Sequence, residues 1–250
     1  FGDLDNDQYI YMIIGDNNGQ IYYFENTIQN EAGSEFPIFQ NYELLDIDVG
    51  SFAHPQLIDL NRDGLLDLVI GERMGIDNCV YNGINYYENT GSPTEAEFEN
   101  YTPEFDSGVW DEDCGNIITK SLGGIHLGIP TYLTAYTTPH IFEYNEVYYL
   151  AVGTGSGFIY LYDNVENFIN NTPNLNLNSE FNLLTNSMLE INNSIYSTVA
   201  IEDLNNDNLP DLLRGNASGG LELYFGLNFN VRHEQEHTST HDITIKPNPN

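Results

Sequence analysis

"DLNRDGLLDLVIG", residues 59–71, sets Asp59, Asn61, Asp63 and Asp67 at positions 1, 3, 5 and 9 of a short segment, with Gly64 at position 6 and an apolar run behind. Carboxylates this close repel one another, so the pattern calls for positive charge among them. Alternation turns the side chains at positions 1, 3 and 5 of a tight loop to one side. Gly64 permits a sharp left-handed turn. The carbonyl of Leu65 at position 7 can add a ligand, and Asp67 closes the shell. A calcium ion takes about six to eight oxygen ligands at about 2.3–2.6 Å, which this donor set can begin to supply. An EF-hand would need Glu at position 12 and flanking helices; position 12 here is Ile70, and the flanks read as strands.

The segment recurs. "DLDNDQYIYMIIG" (Asp3–Gly15) and "DLNNDNLPDLLRG" (Asp203–Gly215) have the same length and the same closing glycine. The copy at 203 offers Asp203, Asn205, Asp207 and Asp211 with the carbonyl of Leu209, and puts Asn208 where Gly64 stands; Asn also accepts left-handed geometry. The copy at 3 offers Asp3, Asp5 and Asp7 with the carbonyl of Tyr9. Its ninth residue is Tyr11, which brings no carboxylate, so a weaker or empty site is expected there. A further copy, "IFEYNEVYYLAVG" (Ile141–Gly153), keeps the length and loses the acids, and no metal is expected in it. Behind the copies follow "GQIYYFENT", "GINYYENTG", "GFIYLYDN" and "GGLELYFG"; ahead of two of them stand "SFAHPQLIDL" and "SIYSTVAIEDL". These runs are short, rich in β-branched and aromatic residues and bounded by Gly and Asn, as strands are. Four short strands per repeated unit is the pattern of a β-propeller blade. The expected fold is therefore all-β, a partial β-propeller with about four visible blades of four antiparallel strands. The units lie near 1–50, 51–123, 124–192 and 193–228, with an insertion over about 72–139.

The bulk composition narrows the partners. The 250 residues carry 38 acidic side chains against 6 Lys+Arg, a formal net charge of −32, with 40% hydrophobic and 13% aromatic residues. That content supports a packed core, while the charge repels nucleic acid and bare anionic membrane and favours cations. No run reaches the ~18 apolar residues of a membrane span. Opening inside a repeat, the chain reads as a processed or truncated piece. Cys79 and Cys114 fit either a disulfide in an exported protein or two free thiols, and are too few for a zinc site.

The acidic segments resemble the calcium loops of FG-GAP/VCBS repeats, the units of integrin-α-type β-propellers, over roughly residues 1–228. "FG" at Phe1-Gly2 and "GSFAHP" at Gly50–Pro55 sit where that family's naming segments fall. The resemblance implies structural Ca2+ in the loops and the C-terminal part of a larger propeller. After a polar linker over 229–242, "ITIKPNPN" (Ile243–Asn250) resembles the start of the C-terminal sorting domain of type IX secretion substrates in Bacteroidetes. That likeness implies the type IX machinery as a partner and a secreted or cell-surface location, where calcium is millimolar.

For catalysis the sequence offers little. GxSxG, HExxH, P-loop and dinucleotide fingerprints are absent. Trp110, beside Asp111, Glu112 and Asp113, could stack on a sugar, although a buried loop anchor is the simpler reading. His233, His237 and His241 are spaced by four in the linker, which chance explains. The leading expectation is a non-catalytic binding or adhesion module for a protein or polysaccharide ligand. The alternatives are a propeller-based polysaccharide lyase or hydrolase, with catalytic residues upstream or in the insertion, or an accessory domain of such an enzyme.

Overall fold

The computed structural model describes residues 1–26, 38–73, 80–102, 104–112, 115–125, 127, 136–170, 195–226 and 246–247. Cys79, Cys114, Asp113 and the three linker histidines lie outside this set, as does most of the 243–250 segment, and the side chains of Trp110 and Asp111 are not described. The chain is all-β. It divides into two compact units, Phe1–Pro139 with Glu166–Leu175, and His140–Val165 with Asn176–Asn250.

In the first unit, β1 (Met12–Gly15), β2 (Gln20–Asn26) and β3 (Phe39–Asp48) form an up-and-down antiparallel sheet. The next sheet contains β4 (His54–Ile58) and β5 (Asp67–Gly71). After a short strand β6 (Val80–Asn82), the chain returns to it with β7 (Ile84–Asn89) and β8 (Phe98–Asn100), in the order β4-β5-β7-β8. Pro55 sits on β4, an edge strand, where its missing N–H is tolerated. Period-two alternation directs Ile21, Ile47, Leu57, Leu68, Ile70 and Tyr87 into one core shared by the two sheets.

The insertion builds a sheet of its own that sequence patterning did not foresee. β6 joins β9 (Glu104–Asp111) and β10 (Gly115–Lys120) in the order β6-β10-β9, with β6 and β10 parallel. The stretch 72–139 is therefore not one loop. β7 and β8 belong to the repeat, while β6, β9 and β10 belong to the added sheet.

In the second unit, β11 (Thr138–Tyr144), β12 (Val147–Gly153) and β13 (Ile159–Asp163) form one sheet. β14 (Thr198–Glu202), β15 (Asp211–Gly215), β16 (Leu221–Phe225) and β17 (Lys246–Pro247) form another, again in chain order. Phe142, Tyr149, Ala151, Ile159 and Leu161 pack with Val199, Ile201, Leu212 and Tyr224, and the Phe142 and Tyr149 rings stack with centroids 5.5 Å apart. Four strands appear in the second repeat and three among the described residues in the first and third; in the fourth, β14, β15 and β16 lie within 193–228 and the sheet's fourth strand, β17, comes from the 243–250 segment. In the first repeat only Gly2 occupies the place of an opening strand, through a single bridge to Tyr11.

The closing glycine of the repeat has a steric reason. A Cβ on Gly15 would stand 2.2 Å from the Ala53 carbonyl oxygen, and one on Gly71 would stand 2.1 Å from that of Thr137. The residue entering the next repeat donates its N–H to the carbonyl just beyond that glycine. The pairs are Ala53 to Asp16 at 3.0 Å, Thr137 to Glu72 at 3.0 Å, and Ser197 to Thr154 at 3.0 Å. Among the described residues no helix is long and apolar enough to cross a membrane.

Candidate metal centre

Each acidic segment leads into a strand whose far end is fixed by that glycine, and all three fold into the same loop. The position-1 carboxylate accepts two backbone N–H bonds. Asp59 takes those of Asp63 and Gly64, both at 3.0 Å; Asp203 takes those of Asp207 at 3.1 Å and Asn208 at 2.8 Å; Asp3 takes those of Asp7 at 3.2 Å and Gln8 at 2.9 Å. The position-5 carboxylate accepts the position-7 N–H at 2.8 Å in every copy, as Asp63 from Leu65, Asp207 from Leu209 and Asp7 from Tyr9. Asn61 and Asn205 each accept the N–H of the position-5 residue and donate their amide to its carboxylate.

Positions 4 and 6 are both left-handed: Arg62 (φ 60) and Gly64 (φ 91), Asn206 (φ 60) and Asn208 (φ 63), Asn6 (φ 56) and Gln8 (φ 73). The turn at position 6 was legible from Gly64 and Asn208. At position 4, Asn6 and Asn206 carry the same sign and Arg62 does not.

The ninth position behaves differently from a simple ligand. Asp67 is fully buried. Its Oδ2 accepts N–H bonds from Leu60 at 3.1 Å and Asn61 at 3.4 Å and the Tyr86 hydroxyl at 3.0 Å, and its Oδ1 accepts the Asn89 N–H at 2.9 Å. Burial pushes its carboxyl above the usual range, and these hydrogen bonds pull against that shift. Burial, the Asp67 charge and the hydrogen bond to it push the Tyr86 phenol up in turn. Asp211, also fully buried, accepts N–H bonds from Leu204 at 3.0 Å and Gly226 at 2.8 Å. Both aspartates tie the loop entrance to the sheet.

In the first copy Tyr11 fills position 9 and donates its hydroxyl to Asp5 Oδ2 at 3.0 Å. Among the described residues, Asp3, Asp5 and Asp7 are the three acidic side chains whose ligand atoms converge within 4.8 Å. Asp5 Oδ1 is buried and without a hydrogen-bond partner. Asp7 is shifted upward, first by lost solvation and then, against the Tyr9 N–H bond, by the neighbouring Asp5 and Asp3. An all-oxygen, triply negative set with an unsatisfied carboxylate oxygen suits a hard divalent cation. From sequence this loop is the weakest of the three acidic copies because Tyr11 is no carboxylate; in the fold its three acids converge.

The degenerate copy contains no loop. Ile141–Tyr144 continue β11, and Asn145 (φ 52) with Glu146 (φ 66) make a two-residue turn of the left-handed hairpin type into β12.

Comparison of the chain with protein-family models, with curated proteins and with solved structures finds no match.

Proposed function

We propose that the chain is a calcium-stabilised, non-catalytic binding module, a β-propeller of the FG-GAP/VCBS kind displayed outside the cell for a protein or polysaccharide ligand. The observation that carries this reading is one hydrogen-bond frame built three times, at Asp3–Tyr9, Asp59–Leu65 and Asp203–Leu209, with convergent carboxylates in the first. In this reading Asp3, Asp5 and Asp7 hold Ca2+ in the first loop. Asp59, Asn61 and Asp63, and Asp203, Asn205 and Asp207, hold it in the others, with the carbonyls of Tyr9, Leu65 and Leu209 as further donors. Asp67 and Asp211 position those loops. The ion supplies charge neutralisation and stiffens the strand connections, so that neighbouring loops keep a fixed geometry for a ligand. Export through the type IX route follows from the likeness of residues 243–250 to a sorting signal and from the need for millimolar calcium.

Thermal denaturation in EDTA and in 1 mM CaCl2 tests the ion. A site with a dissociation constant of about 10⁻⁴–10⁻³ M contributes about 0.4–1.4 kcal/mol at 1 mM. Three sites then raise the melting temperature by about 3 °C or more. An unchanged melting temperature refutes the proposal. Binding to immobilised glycans and surface proteins in calcium, without turnover of the glycans, tests the rest.

A further inference from the structure

Arg73 follows β5 and donates its backbone N–H to the Ser51 carbonyl at 2.9 Å. Its guanidinium carbon lies 5.3 Å from the Phe52 ring centroid and 4.8 Å from that of Tyr136, and the two rings meet edge-on with centroids 5.3 Å apart. Nε is buried without a hydrogen-bond partner, and among the described residues no carboxylate forms an ion pair with this arginine. In a chain with 38 acidic side chains and 6 Lys+Arg, a cation that forms no ion pair with a described carboxylate calls for an explanation.

The repeat explains the rings but not the arginine. Phe52, Tyr136 and Tyr196 occupy equivalent positions, each left-handed (φ 56, 44 and 59), each just ahead of the residue that bonds back to the preceding turn. The positions equivalent to Arg73 hold Asn17, Gly155 and Ala217, so the scaffold works without a cation there.

We propose that Arg73, Phe52 and Tyr136 bind the carboxylate of an acidic sugar residue, which names a ligand class for the polysaccharide-binding reading and rests on it. A guanidinium flanked by aromatic faces offers hydrogen bonds through its edge, in the plane of the fork that matches a carboxylate. Phe52 is 40% exposed and leaves ring surface for the C–H face of a sugar. The net charge of −32 opposes long phosphate-rich polyanions, whereas a short oligosaccharide with one carboxylate per sugar meets less repulsion.

The test titrates trigalacturonate and its fully methyl-esterified form into the full chain and its variants, with affinity read by calorimetry and, in the wild type, the Arg73 Nε–H signal followed by NMR. In the wild type the acid saturates that signal; by calorimetry the ester binds at least tenfold more weakly, Arg73→Lys loses at least tenfold because an ammonium has no fork, and Arg73→Gln gives no saturable heat while keeping the wild-type melting temperature. Equal binding of acid and ester overturns the proposal. So does wild-type affinity in Arg73→Gln, which would place a glycan elsewhere and leave the broader reading standing. A peptide C-terminus that saturates the signal where trigalacturonate does not overturns the assignment to sugar.

Discussion

Replacing Gly71 by alanine separates the two reasons a glycine recurs in this repeat. Gly71 lacks positive φ; its problem is space. The new Cβ would lie 2.1 Å from the Thr137 oxygen, 2.3 Å from Pro139 Cδ and 2.8 Å from the Thr137 carbonyl carbon. Ordinary contact needs about 3.5 Å, so the segment entering the next strand must retreat by more than an ångström. That movement breaks the Thr137 N–H bond to Glu72 at 3.0 Å and the Glu72 N–H bond to Thr137 Oγ1 at 2.8 Å. Overpacking costs about 1–3 kcal/mol, and each lost bond about 0.5–1.5 kcal/mol. The expected destabilisation is roughly 3–5 kcal/mol. Gly64→Ala is the control: its Cβ meets nothing within 4 Å, and its cost comes from φ +91 alone, about 1–2 kcal/mol. Urea denaturation followed by far-UV circular dichroism, with both variants in the same calcium concentration, measures the difference. Equal losses in the two variants, or a Gly71→Ala loss under 1 kcal/mol, would refute the claim that this glycine exists to admit the next repeat.

Two further outcomes follow from buried polar groups. Arg214 is fully buried, bonding Ser197 Oγ through Nε at 3.1 Å and Nη2 at 2.9 Å, the Gly157 carbonyl through Nη2 at 3.1 Å, and Glu222 through Nη1 at 3.2 Å. Removing it leaves those acceptors short of donors, so Arg214→Ala is expected to lose about 3 kcal/mol in the same urea assay; a loss below 1 kcal/mol contradicts the role. His140 donates Nε2–H to the Ile201 carbonyl at 3.0 Å, and burial holds its pKa below the ordinary 6.5. Below pH 6.5 the unfolded chain takes up a proton that the folded one refuses. The stability present above that value therefore falls with pH, by up to about 1.4 kcal/mol per unit. His140→Gln should flatten the slope between pH 7 and 5, and an unaltered slope argues against it.

Much of the architecture was legible because the repeat aligns its own parts. The runs flanking the acidic segments became β4, β5, β7, β14, β15 and β16, since alternating apolar residues with turn residues at each end leave few other options. The sheet formed by β6, β9 and β10 escaped, because "EFDSGVWD" repeats nothing else in the chain and because β6 pairs in parallel with β10, remote in sequence. In the loops, the alternating donors revealed a shared turn, yet composition could not reveal how donors are spent. Asp67 looks like a ligand in one dimension and is occupied in three by four protein donors, one of them the Tyr86 hydroxyl from a strand nineteen residues on. Tyr11 looked like a loss and instead reaches back to Asp5. Side-chain competition of this kind depends on which strand lies alongside, and no local pattern encodes it.

Calcium titration by calorimetry on the EDTA-stripped chain, with Asp5→Asn, Asp63→Asn and Asp207→Asn run in parallel, is the most direct measurement. Saturable binding at up to three sites in the 10⁻⁴–10⁻³ M range, with each substitution removing or weakening one site, is the expected result. Absence of saturable heat in millimolar calcium, or binding that all three substitutions leave untouched, would contradict the view that these loops are built around a cation.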